Sequence, residues 1–257
     1  MPRSPDELKG LVEDALERLE LWPELHGQAD STRYAVEMGG KRIRPVIALA
    51  VGEALGPPVE QVMPAALAIE LVHNFSLVHD DLPSLDNDDE RRGKASVWAT
   101  YGEGTAVLAG DALLAESFRL ACRYPSSDVA RELAQATLGM IGGQYLDTMV
   151  DGADLKAVHR LKTGCLFSAS VAMALWAAGV PEPEQRAWRV FGDELGLLFQ
   201  VVDDILDGDG FFVSEGPDGA RELADEAAAR AHERLAAIQA DTSVLDGIVS
   251  ALAARTV

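Results

Sequence analysis

Helical periodicity runs from one end of the chain to the other, and some of the helices are apolar on more than one face. Residues 59–78 and 168–180 carry apolar side chains around most of the helix circumference. Such a helix cannot rest on a surface; it sits centrally, ringed by other helices, or at a subunit interface. Polar groups on it are expensive to bury without partners, which makes them informative. The first helix opens at Pro5-Asp6-Glu7, with acids at the positive end of the dipole. Leu8, Leu11, Val12, Ala15 and Leu19 then recur on one face. Further helices are predicted over 44–54, 106–120, 128–149, 155–178, 181–206, 218–240 and 243–253. No sustained period-2 run is bounded by hairpin turns, no Gly/Ser/Pro linker divides the chain, and no fixed repeat appears. The expectation is one all-α domain over residues 1–257, a bundle of more than four helices.

Charge narrows the function. Lys+Arg 22 against Asp+Glu 42 gives a net charge of −20, and Lys9, Lys41, Lys94, Lys156 and Lys162 are all the lysines. That argues against nonspecific nucleic-acid binding and against an anionic membrane surface, since phosphate is met by basic patches. An apolar content of 48% argues against a disordered acidic chain. No uninterrupted apolar run approaches the roughly 20 residues of a membrane span. Met1-Pro2-Arg3 leads into charged, helix-like sequence, with no secretory signal visible. Cys122 and Cys165 are too few to staple a domain of this size. A soluble, cytoplasmic protein is expected. So acidic a chain should repel anionic ligands unless metal cations intervene.

Two acidic constellations stand out. In the first, the apolar helix ends in His79-Asp80-Asp81-Leu82-Pro83-Ser84-Leu85-Asp86, followed by Arg91-Arg92-Gly93. Carboxylates at a helix C-terminus oppose the dipole and repel one another, so the arrangement is costly unless cations bind. Mg²⁺ takes one or two carboxylates plus substrate phosphate, and arginines grip phosphate oxygens. Asp88, Asp89 and Glu90 read as a solvated acidic loop. In the second, Phe199-Gln200-Val201-Val202-Asp203-Asp204-Ile205-Leu206-Asp207 again brings an apolar helix to Asp-Asp. Asp203 and Asp207 share a face at i,i+4. Two such ends suggest metal ions held between them, carrying a diphosphate. Gly39-Gly40-Lys41-Arg42-Ile43-Arg44-Pro45 places three basic residues within four positions of a lysine-poor chain. Lys162-Thr163-Gly164 and His73 lie in apolar surroundings, and His73 is two turns before Asp80 on the same helix face.

Together with Leu108-Ala109-Gly110-Asp111 and Gly142-Gly143-Gln144, these motifs resemble, in order and over most of the chain, the trans-isoprenyl diphosphate synthases of the polyprenyl synthetase family. The resemblance implies an isoprenoid-synthase-type all-α bundle around a deep central cavity, usually a homodimer. It implies Mg²⁺, three ions once diphosphate is bound, on Asp80 and Asp86 with Asp81 nearby, and on Asp203 with Asp207. Lys41, Arg44, His73 and Arg92 match the site for isopentenyl diphosphate. Arg91, Lys162, Thr163 and Gln200 match that for an allylic diphosphate. The implied reaction is ionisation, condensation and elimination in a dry cavity, with Asp80, Asp86, Asp203 and Lys162 in the catalytic roles. Phe75 lies five residues before Asp80, about 7.5 Å lower along the helix. In similar enzymes an aromatic there accompanies a C15 product, so farnesyl diphosphate is expected ahead of geranylgeranyl diphosphate.

The chain also departs from the family. No lysine follows Lys162, where the family carries further lysines after the second motif, and Ala95, Trp98 and Ala99 replace its usual Pro, His and Lys. Three alternatives compete with a synthase. A non-catalytic synthase subunit would have lost an acidic motif. A class I terpene cyclase has no use for Lys41, Arg44 and His73. An acidic scaffold does not explain basic residues gathered at motif positions.

Overall fold

A computed structural model describes residues 2–256. Among these, twelve α-helices follow in order: α1 (Pro5–Glu17), α2 (Gln28–Glu37), α3 (Ile43–Leu55), α4 (Val59–Asp80), α5 (Val97–Tyr101), α6 (Glu103–Ala121), α7 (Asp128–Met149), α8 (Leu155–His159), α9 (Cys165–Ala177), α10 (Arg186–Asp207), α11 (Gly210–Ala236) and α12 (Ser243–Ala253). The two helices that are apolar all round take the central places. Helix α4 packs against α3, α6 and α9, and α9 is ringed by α3, α4, α7 and α10. Their buried side chains join one continuous hydrophobic cluster reaching from Leu8 of α1 to Leu252 of α12. Among the described residues α4 is the one helix long and apolar enough to span a membrane, but 67% of its most apolar window is buried inside the fold. That is the pattern of a core helix.

Local chemistry accounts for the ends. Ser4 Oγ accepts from Glu7 N at 3.3 Å and Glu7 Oε2 accepts from Ser4 N at 2.7 Å, a reciprocal cap on α1. Gly56, at φ 93°, closes α3.

The fold differs from the sequence expectation in several places: besides those described next, the short helix α5 lies outside every predicted span, and the helix expected over 155–178 is divided into α8 and α9 by a π-helical turn. Helix α2 is polar in composition and has no apolar stripe to announce it; buried Thr32 and Ser31 return their hydroxyls to Gln28 O at 3.0 and 2.9 Å. A two-residue ladder pairs Glu90 with Ala95 and Arg91 with Lys94 (β1 and β2). Helix α10 begins at Arg186, after a 3₁₀ turn over Glu182–Glu184. Helix α11 starts at Gly210, eight residues earlier than expected, because Gly216 at φ 76° breaks it just before Pro217 and lets a short apolar first segment fold back on α10.

Candidate active site

The C-terminal end of α4 is wrapped by the loop that follows. Asp86 N donates to Asp80 O at 2.9 Å, Leu85 N to Leu82 O at 2.9 Å and Asp88 N to Asp81 O at 3.1 Å. The spacing from Asp80 to Asp86 is thus the length of a loop that brings Asp86 back to the helix end. The two adjacent aspartates part company there. Asp80 lines a cavity of about 670 Å³, whereas Asp81 is 2% exposed and receives Arg91, whose Nε donates to it at 2.9 Å. Asp81 is expected from the sequence among the metal ligands; in this structure its Oδ1 faces the Arg91 guanidinium.

Basic residues face Asp80 across the cavity. Lys41 comes from the loop before α3, Arg44 from the first turn of α3, and Arg92 from the β1–β2 turn. Gly39 and Gly40 are at φ 77° and 145°, and a Cβ on Gly40 would sit 2.6 Å from Arg92 Nη1. Gly40 is required because the guanidinium, which donates to Gly39 O, lies against it; Gly39 is favoured by its positive φ, with nothing near where a Cβ would sit. Arg44 is buried with its Nε unpartnered, its guanidinium 4.6 Å from the Phe167 ring centroid, and burial lowers its pKa to about 10. His73 lies on the same wall; burial and then Arg44 hold its pKa well below the ordinary value, so it is neutral at pH 7.

Opposite α4, Lys162 and Thr163 reach the cavity from a π-helical turn, Arg160–Gly164, between α8 and α9. Wider turns of this type recur at functional sites. Two glycines press on it: a Cβ on Gly143 of α7 would lie 2.7 Å from Lys162 Cα, and one on Gly196 of α10 would lie 3.2 Å from Gly164 Cα. The Gly142-Gly143-Gln144 motif thus has a packing reason at its second position. Lys162 Nζ pairs with Asp147 at 2.5 Å. Gln144 also lines the cavity, and neither polar atom of its buried side-chain amide has a partner. The sequence motif contained Gln144 without assigning it a task; its orphaned amide marks it as a ligand-facing group.

Asp203 of α10 lines the cavity too, while its neighbour Asp204 is buried, accepting from Gln200 Nε2 at 2.6 Å and Phe211 N at 2.8 Å. Gln200, expected beside an allylic diphosphate, is held by this carboxylate and faces a different cavity. Asp86 and Asp207 are exposed and lie at the rim, off the cavity wall. Phe75 is off the wall as well, its ring 4.9 Å from that of His79 and edge-on to it, because five residues along α4 turn it away from Asp80.

The electrostatics suit a cation. Burial, opposed by Lys162 and reinforced by Asp86, lifts the Asp80 pKa to about 6. Burial and then Asp207 raise that of Asp203. Two desolvated carboxylates on one cavity, with hard oxygen donors and no proton donor of their own, fit Mg²⁺. Among the described residues no three Asp, Glu, His or Cys side chains converge on a single point. Protein oxygens would therefore supply part of a coordination shell, leaving positions for water and phosphate.

Comparison with known proteins places the chain in a family. Residues 28–215 match the family model described as polyprenyl synthetase. A geranylgeranyl diphosphate synthase of Cyanophora paradoxa is 40% identical over 193 residues, 69% of this chain and 64% of that protein. A farnesyl diphosphate synthase of Bacillus subtilis (strain 168) is 40% identical over 195 residues, 70% of this chain and 66% of that protein. The chain thus spans just under two thirds of the length of these two relatives. A geranyltransferase from Legionella pneumophila superposes with a TM-score of 0.87 at 30% identity, covering 98% of this chain and 96% of that one. The all-α bundle is the isoprenoid synthase fold, and the chain belongs to the polyprenyl synthetase family.

Proposed function

We propose that the protein condenses isopentenyl diphosphate head-to-tail with an allylic diphosphate. The observation that carries the reading is the cavity itself. Asp80 and Asp203, from the ends of two helices, share one wall system with Lys41, Arg44, Arg92 and Lys162 in a chain of net charge −20. Mg²⁺ bound at Asp80 and Asp203, with Asp86 and Asp207 at the rim and three ions once diphosphate is in place, would neutralise the departing pyrophosphate. Lys41, Arg44 and Arg92 hold the diphosphate of the isopentenyl substrate. Neutral His73 offers it a hydrogen bond without adding charge. Lys162 and Arg91, both lining the cavity, face the allylic diphosphate; the Thr163 hydroxyl and the Gln144 amide orient it. The allylic C–O bond breaks and pyrophosphate leaves with the electron pair. The isopentenyl double bond forms the new C–C bond, and the proton lost from the adjacent carbon passes to pyrophosphate. Met140, Leu166 and Phe199 line the apolar part of the cavity and exclude water from the cation.

The reading extends to farnesyl diphosphate as product, with geranylgeranyl diphosphate as the alternative. Phe75 would stop the chain where the tail turns between α4 and α6 onto the Phe75–His79 pair. The whole chain is taken as one synthase domain, supported by the continuous core. It is taken as a cytoplasmic homodimer without nucleic-acid partners. Leu138, Ile141, Tyr145 and Met149 recur at three- and four-residue spacing on α7, each between 47% and 69% exposed, and a second copy would cover them. One experiment tests the core of this. Purified protein is incubated with Mg²⁺, labelled isopentenyl diphosphate and each allylic diphosphate in turn, and the dephosphorylated products are chromatographed. Absence of extension from every primer would refute the synthase reading. An unchanged product distribution in Phe75→Ala would remove Phe75 as the length limit.

A further inference from the structure

A second cavity, of about 770 Å³, lies behind the π-helical turn between α7, α9, α10 and α11. Small residues create it: Gly164 at the end of the π-helical turn and Cys165, Ser168, Ala169 and Ala172 on one face of α9. Phe211 and Leu223 of α11 complete an apolar interior. Its acids are already engaged. Glu132 accepts from Arg189 at 2.5 Å, Glu194 from Arg230 at 2.9 Å and Asp193 from Ser168 Oγ at 2.6 Å. Two of its cations are not: the side chains of Lys156 and Arg160, one turn apart and exposed, have no hydrogen bond or ion pair among the described residues. Beside them His159 Nε2 is buried without a hydrogen bond, 3.3 Å from Asp204 Oδ2. An apolar interior with uncommitted cations at its mouth is complementary to a linear apolar chain bearing one anionic head.

We propose that this second cavity binds an amphiphilic anion, and that its occupancy acts on the first cavity through their shared wall. The wall is short. His159, Arg160 and Gly164 face the second cavity, while Lys162 and Thr163 of the same turn face the first. Gln200 lines the second cavity and is bonded to Asp204, the neighbour of Asp203. Binding stands on the cavity alone; the coupling rests on the proposed function. A fatty carboxylate and a prenyl diphosphate share the required chemistry.

Cys165 provides the probe, since it lines the cavity and Cys122 is the only other thiol. In the full chain carrying Cys122→Ser, the rate of Cys165 alkylation by N-ethylmaleimide is followed with laurate, farnesyl diphosphate or inorganic pyrophosphate. At tenfold excess over Kd about one site in eleven stays open, so labelling is expected to slow about tenfold. Slowing by laurate or by farnesyl diphosphate, absent with pyrophosphate and lost in Arg160→Glu, supports the site, and the effective amphiphile identifies the head group. No slowing by either amphiphile, or slowing that survives both Arg160→Glu and Lys156→Glu, overturns it. For the coupling, the effective amphiphile should raise the KM for allylic diphosphate about threefold, roughly 0.6 kcal/mol. An unchanged KM in an active enzyme overturns the coupling. The labelling needs no turnover, so an inactive preparation refutes the synthase reading and leaves the binding result to stand or fall by itself.

Discussion

Gly143→Ala tests how the π-helical turn is held. The added Cβ would sit 2.7 Å from Lys162 Cα and 2.8 Å from Leu161 C, and closer still to Lys162 N. Ordinary contact begins near 3.4 Å, so clearing Lys162 N requires α7 and the π-helical turn to part by about 1 Å. Both sides of the clash are backbone, and no side chain can swing away. Overpacking of this kind costs about 1–3 kcal/mol, and the helix propensity gained by replacing glycine returns about 1 kcal/mol. The net loss expected is up to about 2 kcal/mol, a fall in Tm of up to roughly 8 °C for a chain of this size. The functional loss should be larger than the stability loss suggests. Lys162 and Thr163 ride on the displaced turn, and a 1 Å misplacement can cost about 100-fold in rate. A drop in kcat/KM for the allylic substrate of about tenfold or more is expected. The control is Gly247→Ala in α12, where nothing lies within 4 Å of the added Cβ; that variant should gain up to about 1 kcal/mol and keep full activity. Thermal melts and steady-state kinetics on the three proteins decide the matter. A Gly143→Ala protein with the parent's Tm and kcat/KM would refute the packing argument.

Three other outcomes are expected. The Asp80 pKa of about 6 lies above its ordinary 3.8, so the metal-free folded state holds this proton more tightly than the unfolded state, and stability falls as pH rises between them. Asp80→Asn should therefore stabilise metal-free protein by about 1–3 kcal/mol at pH 8 and scarcely at pH 4, while abolishing Mg²⁺-dependent turnover; equal melts at both pH values would contradict this. Arg42 is buried and pairs with buried Glu70 at 2.8 Å, so Arg42→Met should cost about 3–5 kcal/mol by denaturant titration, and adding Glu70→Leu should recover much of it. Mg²⁺ with pyrophosphate should raise Tm by an amount equivalent to about 2.7 kcal/mol at one hundred times Kd, and EDTA should remove the shift; a shift persisting in Asp80→Asn/Asp203→Asn would separate it from these carboxylates.

Much of this protein is readable from residue order because helices are local. The spacing of apolar residues depends on 3.6 residues per turn and nothing distant. Accordingly α7 and α12 coincide with their expected spans, and α4 and α9 are central for the reason their composition demands. Helix α2 escaped because half of its buried face, beside Ala35 and Val36, is Ser31 and Thr32, whose burial depends on hydroxyls returned to the backbone. The Gly216 break in α11 escaped because glycine followed by proline ends one helix and starts another equally well.

What the sequence by itself determined is the helical bundle, the two acidic helix ends and the basic residues set against them. What only the tertiary structure decided is which member of each adjacent pair does what. Asp80 and Asp81, like Asp203 and Asp204, are chemically identical and one residue apart. A rotation of about 100° along the helix sends Asp80 and Asp203 into one cavity, and turns Asp81 onto Arg91 and Asp204 onto Gln200 and the start of α11. The partners that settle those roles lie on other elements, and only packing brings them within hydrogen-bonding distance.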